Sequence, residues 1–542
     1  MSVSTGGTLS GTGTVATTLT VLNGGAFAPG NSTPGSSMNI TGTLAFQPTT
    51  TYKIYLNPTT ASFANVTGNA TLDGTVDAVF SPGGYVSKQY TILTTTGGLG
   101  GTTFAGLTNT NMPSGGSDTL SYSTNDDDVY LNLTERFAQF TGLSGNQQGV
   151  ANALATYFNT NGGIPAAFFG LNAGDLTQLD GEDASGAEKG AFQLMTQFLD
   201  LMIDPTAGGG AGGGGGASGF ADEEQQNLPP DVALAYARAL HKPQALSQPS
   251  PASGGGLGRG FDQRWSAWGS AFGGSGTYDG SATVGSNNVT ATDYGYAAGM
   301  DYHVTPDTVY GFALGGGGTN WNLATSPGSG RSDSFEAGVY AKTHWGPAYM
   351  SGALGFANHW FTTNRIALGD DLTANFQGQS YAARGEVGYR YGVPVTGYII
   401  GVTPYAAVQV QDFHTPGYSE TDLTGGGFGL SYNAMSATDT RSELGARFDN
   451  LTVWSGMPLI LRGRLAWAHD WVSNPSLGAV FQALPGSNFT VNGAAVPQNS
   501  ALTTAAAELH LTANWTAIAK FDGEFAPTAQ TYSGTGTLKY SW

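Results

Sequence analysis

The last thirteen residues, QTYSGTGTLKYSW, alternate between two kinds of side chain and end on an aromatic at Trp542. Successive side chains of a strand point to opposite faces. Tyr532, Gly534, Gly536, Leu538, Tyr540 and Trp542 therefore share one side, and Ser533, Thr535, Thr537, Lys539 and Ser541 share the other. One face suits hydrocarbon and the other suits water. A soluble edge strand can show this once by chance, so the segments upstream decide the reading, and they repeat the alternation with the same polarity.

Arg384 and Glu386 alternate with Tyr381, Ala383, Gly385 and Val387. Arg441, Glu443 and Arg447 alternate with Ser442, Leu444, Ala446 and Phe448, and Arg462 and Arg464 with Leu461, Gly463, Leu465 and Trp467. Lys520, Asp522 and Glu524 lie opposite Ala519, Phe521, Gly523 and Phe525. In each strand the charges keep to one side. A soluble sandwich would bury a face of Val, Ile and Leu; here the apolar faces are Gly, Ala, Tyr, Phe and Trp, and the polar faces carry both signs of charge. The pattern predicts a mainly all-β chain built around an antiparallel barrel with lipid outside and a hydrated, ion-paired lumen. A charge turned outward at the bilayer midplane would cost about 2–4 kcal/mol. The predicted lumen-facing charges are Arg384, Glu386, Arg441, Glu443, Arg462, Arg464, Lys520, Asp522 and Glu524, and Tyr532, Leu538, Tyr540 and Trp542 mark the lipid face of the terminal strand.

Composition narrows the function classes. The 542 residues include 84 Gly, only 11% are charged, and none is Cys. High Gly with low charge argues against an ordinary cytosolic enzyme, and the absence of Cys excludes disulfides, zinc–thiolate centres and thiol nucleophiles. A net charge of −19 argues against a nucleic-acid partner. No apolar run is long enough for a membrane-spanning helix. The opening MSVSTGGTLS has neither the basic start nor the apolar core of a signal peptide. An outer-membrane protein needs one, so the chain is expected to be the C-terminal portion of something longer.

Three regions follow. Residues 1–135 are rich in Gly, Thr, Asn and Ser, with short β-type runs such as SMNITGTLAF, TYKIYLN and ATLDGTVDAVF between turn residues. Few are long enough to bury a sandwich core, so stacked rungs of a β-solenoid are expected, with a small sandwich as the alternative. Residues 136–260 turn helical, with Val150, Leu154 and Phe158 four apart and Phe192, Met195, Phe198, Leu199 and Met202 at helical spacing. The tether AGGGAGGGGGASG follows, then a thin helix over 228–242 that is the candidate to occupy the pore, with a surface helix in a disordered linker as the alternative. Residues 261–542 divide into about twelve strands. Their connections are short at VTPD and HWG, and long at Gly274 to Thr292, Phe361 to Gln377 and Asp412 to Ala437. Alternation of short periplasmic turns with long outer loops is the habit of such barrels.

From Trp265 onward the chain resembles the β-barrel translocator domain of autotransporters, the type V secretion proteins of Gram-negative bacteria. The segments that carry the resemblance are YGYAAGMDYHV, SDSFEAGVYAKTHWGPAYMSGALGFANHW, TRSELGARFDN, LRGRLAWAHDW and KFDGEFAPTAQTYSGTGTLKYSW. FAPGNSTPG, TGTLAF and VTGNATLDGTV resemble the end of a passenger β-helix with its autochaperone segment, and LDGEDASGAEKGAFQ resembles the helical stretch between the two. The resemblance implies a monomeric twelve-stranded barrel with a helix in its lumen, inserted by the outer-membrane assembly machinery with the help of periplasmic chaperones. It further implies that the chain exports its own N-terminal passenger to the cell surface, without catalysis or cofactor. A surface adhesin anchored by the barrel and a diffusion pore are the alternative functions.

Enzymatic signatures are missing: there is no Gly-x-Ser-x-Gly elbow and no His-Glu-x-x-His helix. His469 and Asp470 beside Arg464 read as a polar cluster at the lumen rim, and Asn125 to Asp128 as a solvated turn in preference to a calcium loop. The Asn-Asn pair of self-cleaving relatives is absent from the linker and occurs at Asn287-Asn288, in a barrel loop.

Overall fold

A computed structural model describes residues 1–113, 115–135, 137, 140–168, 171–203, 264–324, 328–395, 398–472 and 476–542. Two compact units divide the chain: Met1–Leu176 with Val480–Phe489, and Thr177–Ala479 with Thr490–Trp542.

In the first unit, short strands from successive coils pair in parallel. Leu19–Val21, Leu44–Phe46 and Ala70–Thr71 stack in one sheet, and Thr51–Leu56 stacks with Thr75–Phe80 in a second. Ser37–Ile40, Phe63–Val66 and Lys88–Thr95 stack in a third. This is a solenoid; a sandwich would pair its strands antiparallel. Alternation sends Leu44, Phe46, Tyr52, Ile54 and Leu56 inward, where all are buried. Tyr52 stacks on Phe104 with ring centroids 5.4 Å apart, and its hydroxyl donates to the Ile92 carbonyl. Glycine lets neighbouring coils approach at a corner. A Cβ on Gly42 would lie 2.6 Å from the Thr17 carbonyl carbon, and one on Gly68 would lie 2.7 Å from the Gly42 oxygen. The stack ends where Lys88–Thr95 pairs antiparallel with Asp128–Glu135, which pairs in turn with Gly116–Tyr122. A helix follows at Gly145–Asn161, started by a Ser144–Gln147 capping box and stopped by Gly162 at φ 74°.

The second unit is a closed barrel of twelve antiparallel strands. The strands are β1 (Trp265–Tyr278), β2 (Val289–Thr305), β3 (Thr308–Leu323), β4 (Gly328–Trp345), β5 (Ala348–Ala367) and β6 (Asp370–Tyr389). They continue as β7 (Tyr398–Thr415), β8 (Met435–Trp454), β9 (Met457–Val472), β10 (Asn499–His510), β11 (Trp515–Ala526) and β12 (Ala529–Ser541). Closure comes from β12 pairing with β1, in register from Ser266 with Ser541 to Tyr278 with Ala529. Beyond the ladder, the Trp265 and Trp542 backbones exchange both N–H···O bonds, at 3.2 and 2.9 Å. The C-terminal residue thus takes part in the seam.

One loop expectation is overturned. Phe361 to Gln377 is not a long loop: β5 and β6 run on to Ala367 and from Asp370, joined by Leu368 and Gly369 at φ 53° and 88°. Positive φ at both central residues is the tight hairpin geometry that matches strand twist. The polar residues that suggested a loop, Thr362, Asn364, Asn375 and Gln377, face outward on long strands whose lower part carries the apolar belt.

The solenoid's inward side chains give a direct test. Replacing Ile54 with Ala in the full chain should destabilise the first unit by about 2–5 kcal/mol, read as an earlier thermal unfolding transition. The barrel's heat-modifiable gel migration should not change.

Candidate functional site

Strand alternation builds the lumen. On β6 and β8, Arg384 makes a bidentate pair with Glu443 at 2.7 and 3.0 Å and also reaches Glu386 at 3.2 Å. Glu386 accepts from Arg447 on β8 and from the Tyr349 hydroxyl on β5. On β9 and β11, Arg464 stands 3.8 Å from Glu443 and 3.5 Å from Asp522, and Asp522 pairs with Lys520 at 2.9 Å. Arg441 bridges Asp470 at 2.6 Å and Glu524 at 2.7 Å, and Arg462 pairs with Glu508 at 2.5 Å. All nine charges singled out from the sequence lie on this inner network. Arg447, Asp470 and Glu508 join them, as does the Lys539–Asp301 pair at 3.1 Å. Lys539 carried the signal already, as the single charge on the polar face of the terminal strand. Glu508 was hidden in an Ala-rich segment.

His469 does not join Asp470 and Arg464. Adjacent strand residues face opposite ways, so Asp470 turns to Arg441 while His469 lies between Trp467 and Trp471, ring centroids 5.7 and 4.6 Å away. On β12, Leu538 is 46% exposed, Tyr532 41% and Tyr540 36%, and Trp542 at the chain end is 43% exposed. They sit on the outer face with Tyr296, Phe312, Leu354 and Leu465, the surface a bilayer must cover.

The helix Gly186–Ile203 fills the lumen. Leu194, Met195, Phe198 and Met202 are buried on its apolar face, and it packs against β2 to β7. That wall is cut back to glycine where the large side chains meet it. A Cβ on Gly315 would lie 3.1 Å from Phe198, on Gly338 2.7 Å from Met202, and on Gly355 2.9 Å from the Met195 sulfur. The polar stripe faces the other way: Thr196 accepts from Gln411 at 2.7 Å, and the Asp200 carboxylate lies 3.9 Å from Lys520. Between this stripe and β8 to β12 lies a cavity of about 140 Å³ lined by Lys189, Gln193, Gln197, Asp439, Arg441 and Tyr278, among others. The filling is therefore asymmetric, tight against one half of the wall and leaving a polar-lined cavity against the other. The 228–242 segment proposed for the pore lies outside the described residues.

At the end with the long connections, the helix is preceded by a buried acidic turn. Asn287 donates to both Glu182 oxygens, at 2.8 Å from its backbone and 2.6 Å from its side chain. Burial pushes the Glu182 and Asp183 carboxyls up to about 7 each and raises Asp180 well above the usual carboxylate range. Arg365 opposes the rise at Asp180 and Asp183, and Lys189 and the Asn287 bonds oppose it at Glu182. Glu420 adds to the rise at Asp183, and Tyr418 and Tyr432 lie close by.

Residues 267–522 match the family model of the autotransporter beta-domain. The barrel is an autotransporter β-domain. It is an outer-membrane translocator barrel, and its two chain ends fall on the side of the short turns. Among solved structures, the translocator domain of the autotransporter NalP from Neisseria meningitidis is similar at 12% identity and a TM-score of 0.40, over 51% of this chain and 88% of that one. The beta domain of the Bordetella autotransporter Brka matches at 17% identity and 0.40, over 52% and 100%. The transport unit of AIDA-I from Escherichia coli matches at 14% and 0.38, over 58% and 100%. No curated protein sequence matches the chain.

Two expectations test the β-domain's interior. Glu443→Gln strips two buried arginines of their shared carboxylate; removing one partner of a buried pair costs about 3–5 kcal/mol, so the temperature at which the folded band converts to the unfolded one should fall. The acidic turn adds a pH dependence. A carboxyl whose pKa is higher in the folded state favours folding at low pH, and that contribution is lost as pH rises from the unfolded value towards the folded one, here about 7. Conversion should therefore occur at lower temperature at pH 8 than at pH 5, and Asp183→Asn should narrow the difference.

Proposed function

We propose that the barrel exports and displays the N-terminal part of its own chain. The observation that carries this reading is the lumen helix Gly186–Ile203, which lies between the solenoid and β1 in the sequence, so that chain preceding the first barrel strand occupies the pore. The solenoid is then the surface-exposed passenger end, and its folding outside supplies a drive that a compartment without ATP cannot. The antiparallel pairs of its last strands cover the end of the stack and suit a role as folding template.

Assembly follows from the terminal strand. Its outward Tyr532, Leu538, Tyr540 and Trp542 present an alternating apolar edge of the kind read by strand addition, which suits recognition by the outer-membrane assembly machinery after passage with periplasmic chaperones. The barrel acts as a monomer and performs no catalysis, and it needs no cofactor.

The test is a reporter fused at the N-terminus. Trp542→Asp should abolish both the heat-modifiable barrel and the reporter's sensitivity to protease added outside cells. Paired substitutions Leu44→Asn and Ile54→Asn should lower display at unchanged barrel levels, since each buries an unpaired amide at a cost of about 1–3 kcal/mol. A chain whose reporter stays inside while its barrel assembles normally would refute export.

A further inference from the structure

We propose that the outer mouth of the barrel is a polypeptide clamp that grips main-chain carbonyls and sets the register at which the chain comes to rest. It rests on the export reading and deepens it.

Three side chains from separate elements converge on the segment before the lumen helix. The Trp321 indole N–H on β3 donates to the Asp183 carbonyl at 2.8 Å, and Arg365 Nη1 on β5 donates to the Gln178 carbonyl at 2.9 Å. The Tyr432 hydroxyl, from the strand Leu430–Tyr432 in the loop after β7, lies 3.3 Å from the Gly181 carbonyl and shares its proton with Glu420. All three side chains are buried. Their targets are carbonyl groups, which every residue carries, so this part of the grip is blind to sequence.

Glu420 organises two of the donors. It holds the Arg365 guanidinium through both oxygens at 2.7 and 2.8 Å, accepts from Tyr432 at 3.1 Å, and is itself fixed by the Leu430 N–H at 2.7 Å. It touches no atom of the gripped carbonyls and is a positioning residue.

Register comes from two glycines. Gly181 sits at φ 71°, and a Cβ there would lie 2.3 Å from the Tyr432 oxygen. A Cβ on Gly186 would lie 2.1 Å from Trp321 Cδ1. The indole is slotted between Gly186 and Gly330, whose Cβ would stand 2.0 Å from it. A chain sliding through offers carbonyls at every step, but Tyr432 and Trp321 close fully only when a left-handed glycine and, five residues on, a second glycine arrive together. In this chain those are Gly181 and Gly186, and closing there seats Phe198 and Met202 on the glycine wall below.

The absence of cysteine makes the test clean. Ser185 is buried within the clamp and Cys is nearly isosteric with it, so Ser185→Cys in the full chain, carrying the N-terminal reporter, gives one thiol for a membrane-impermeant maleimide applied to cells. The parent should label slowly, and Trp321→Phe or Glu420→Gln should each raise the labelling rate by about tenfold, as expected for loss of a buried hydrogen bond. Gly186→Ala should do the same although it removes no donor. In a Trp321→Ala background, where the indole is gone, Gly186→Ala should add nothing, a coupling that general destabilisation would not produce. Trp321→Phe keeps the test decisive should Glu420→Gln fail to insert. Unchanged labelling in folded barrels that display the reporter would overturn the clamp. A reporter that stays inside in both the unsubstituted chain and the Ser185→Cys parent, with the barrel assembled, would overturn the export reading, and the clamp's role with it.

Discussion

Hydrocarbon cannot hydrogen-bond, and the rest of the barrel follows from that. Every backbone N–H and C=O at membrane depth has to find its partner within the protein, so a sheet in lipid must close. Closure here means that β12 returns to β1 and that Trp542 and Trp265 exchange their backbone bonds. Once the sheet is closed, each residue has two possible fates. Side chains facing out must be apolar or absent, and those facing in share a narrow space where isolated charges would be untenable. The ion network of Arg384, Glu386, Arg441, Glu443, Arg464 and Asp522 is the result of the second condition. Its members come from β6, β8, β9 and β11, and the Arg384–Glu443 and Arg464–Asp522 pairs each reach across the strand that lies between theirs in the ring.

The lumen poses a problem that an ordinary core does not. A helix inside a barrel has no bulk solvent on either side, yet Gly186–Ile203 is amphipathic. The wall resolves this by being amphipathic around its circumference. Strands β2 to β7 offer Ala and Gly beneath Phe198, Met195 and Met202, while β8 to β12 supply most of the charge and border the cavity. Close packing against one half leaves room for water against the other. Buried polar groups such as Gln193 and Lys189 can be solvated there, which a tight fit all round would forbid.

How far the sequence foretells this depends on where each signal resides. Barrel strands announce themselves locally, because a two-residue period with charges on one side is visible within a dozen residues. Lys520, Asp522 and Glu524 are such a case, and the terminal strand is another. The destination of the lumen helix is not local. Met195, Phe198 and Met202 have the spacing of any surface helix, and the glycines that receive them are scattered over β3, β4 and β5. The hairpin at Leu368–Gly369 was hidden for a different reason: polar outward residues mean loop when a strand is assumed to end with the membrane, and β5 and β6 do not end there. His469 and Asp470 are neighbours in sequence that a strand sends to opposite faces, so their adjacency says nothing of a shared cluster.

Beyond the turns and caps that need a positive φ, glycine meets three different situations among the described residues that composition alone cannot tell apart. At solenoid corners such as Gly42 and Gly68 it permits backbone-to-backbone approach between coils, and any Cβ would strike main chain that cannot yield. On the lumen wall, at Gly355, the obstacle is the Met195 side chain, which is flexible, so a larger residue there would shift the helix without breaking the strand. On the lipid face, Gly536 and Gly385 have no neighbour within 4 Å, and substitution meets only the bilayer. Tolerance to an added methyl should therefore rank from lipid face through lumen wall to solenoid corner, because what decides it is the rigidity of what the new atom meets.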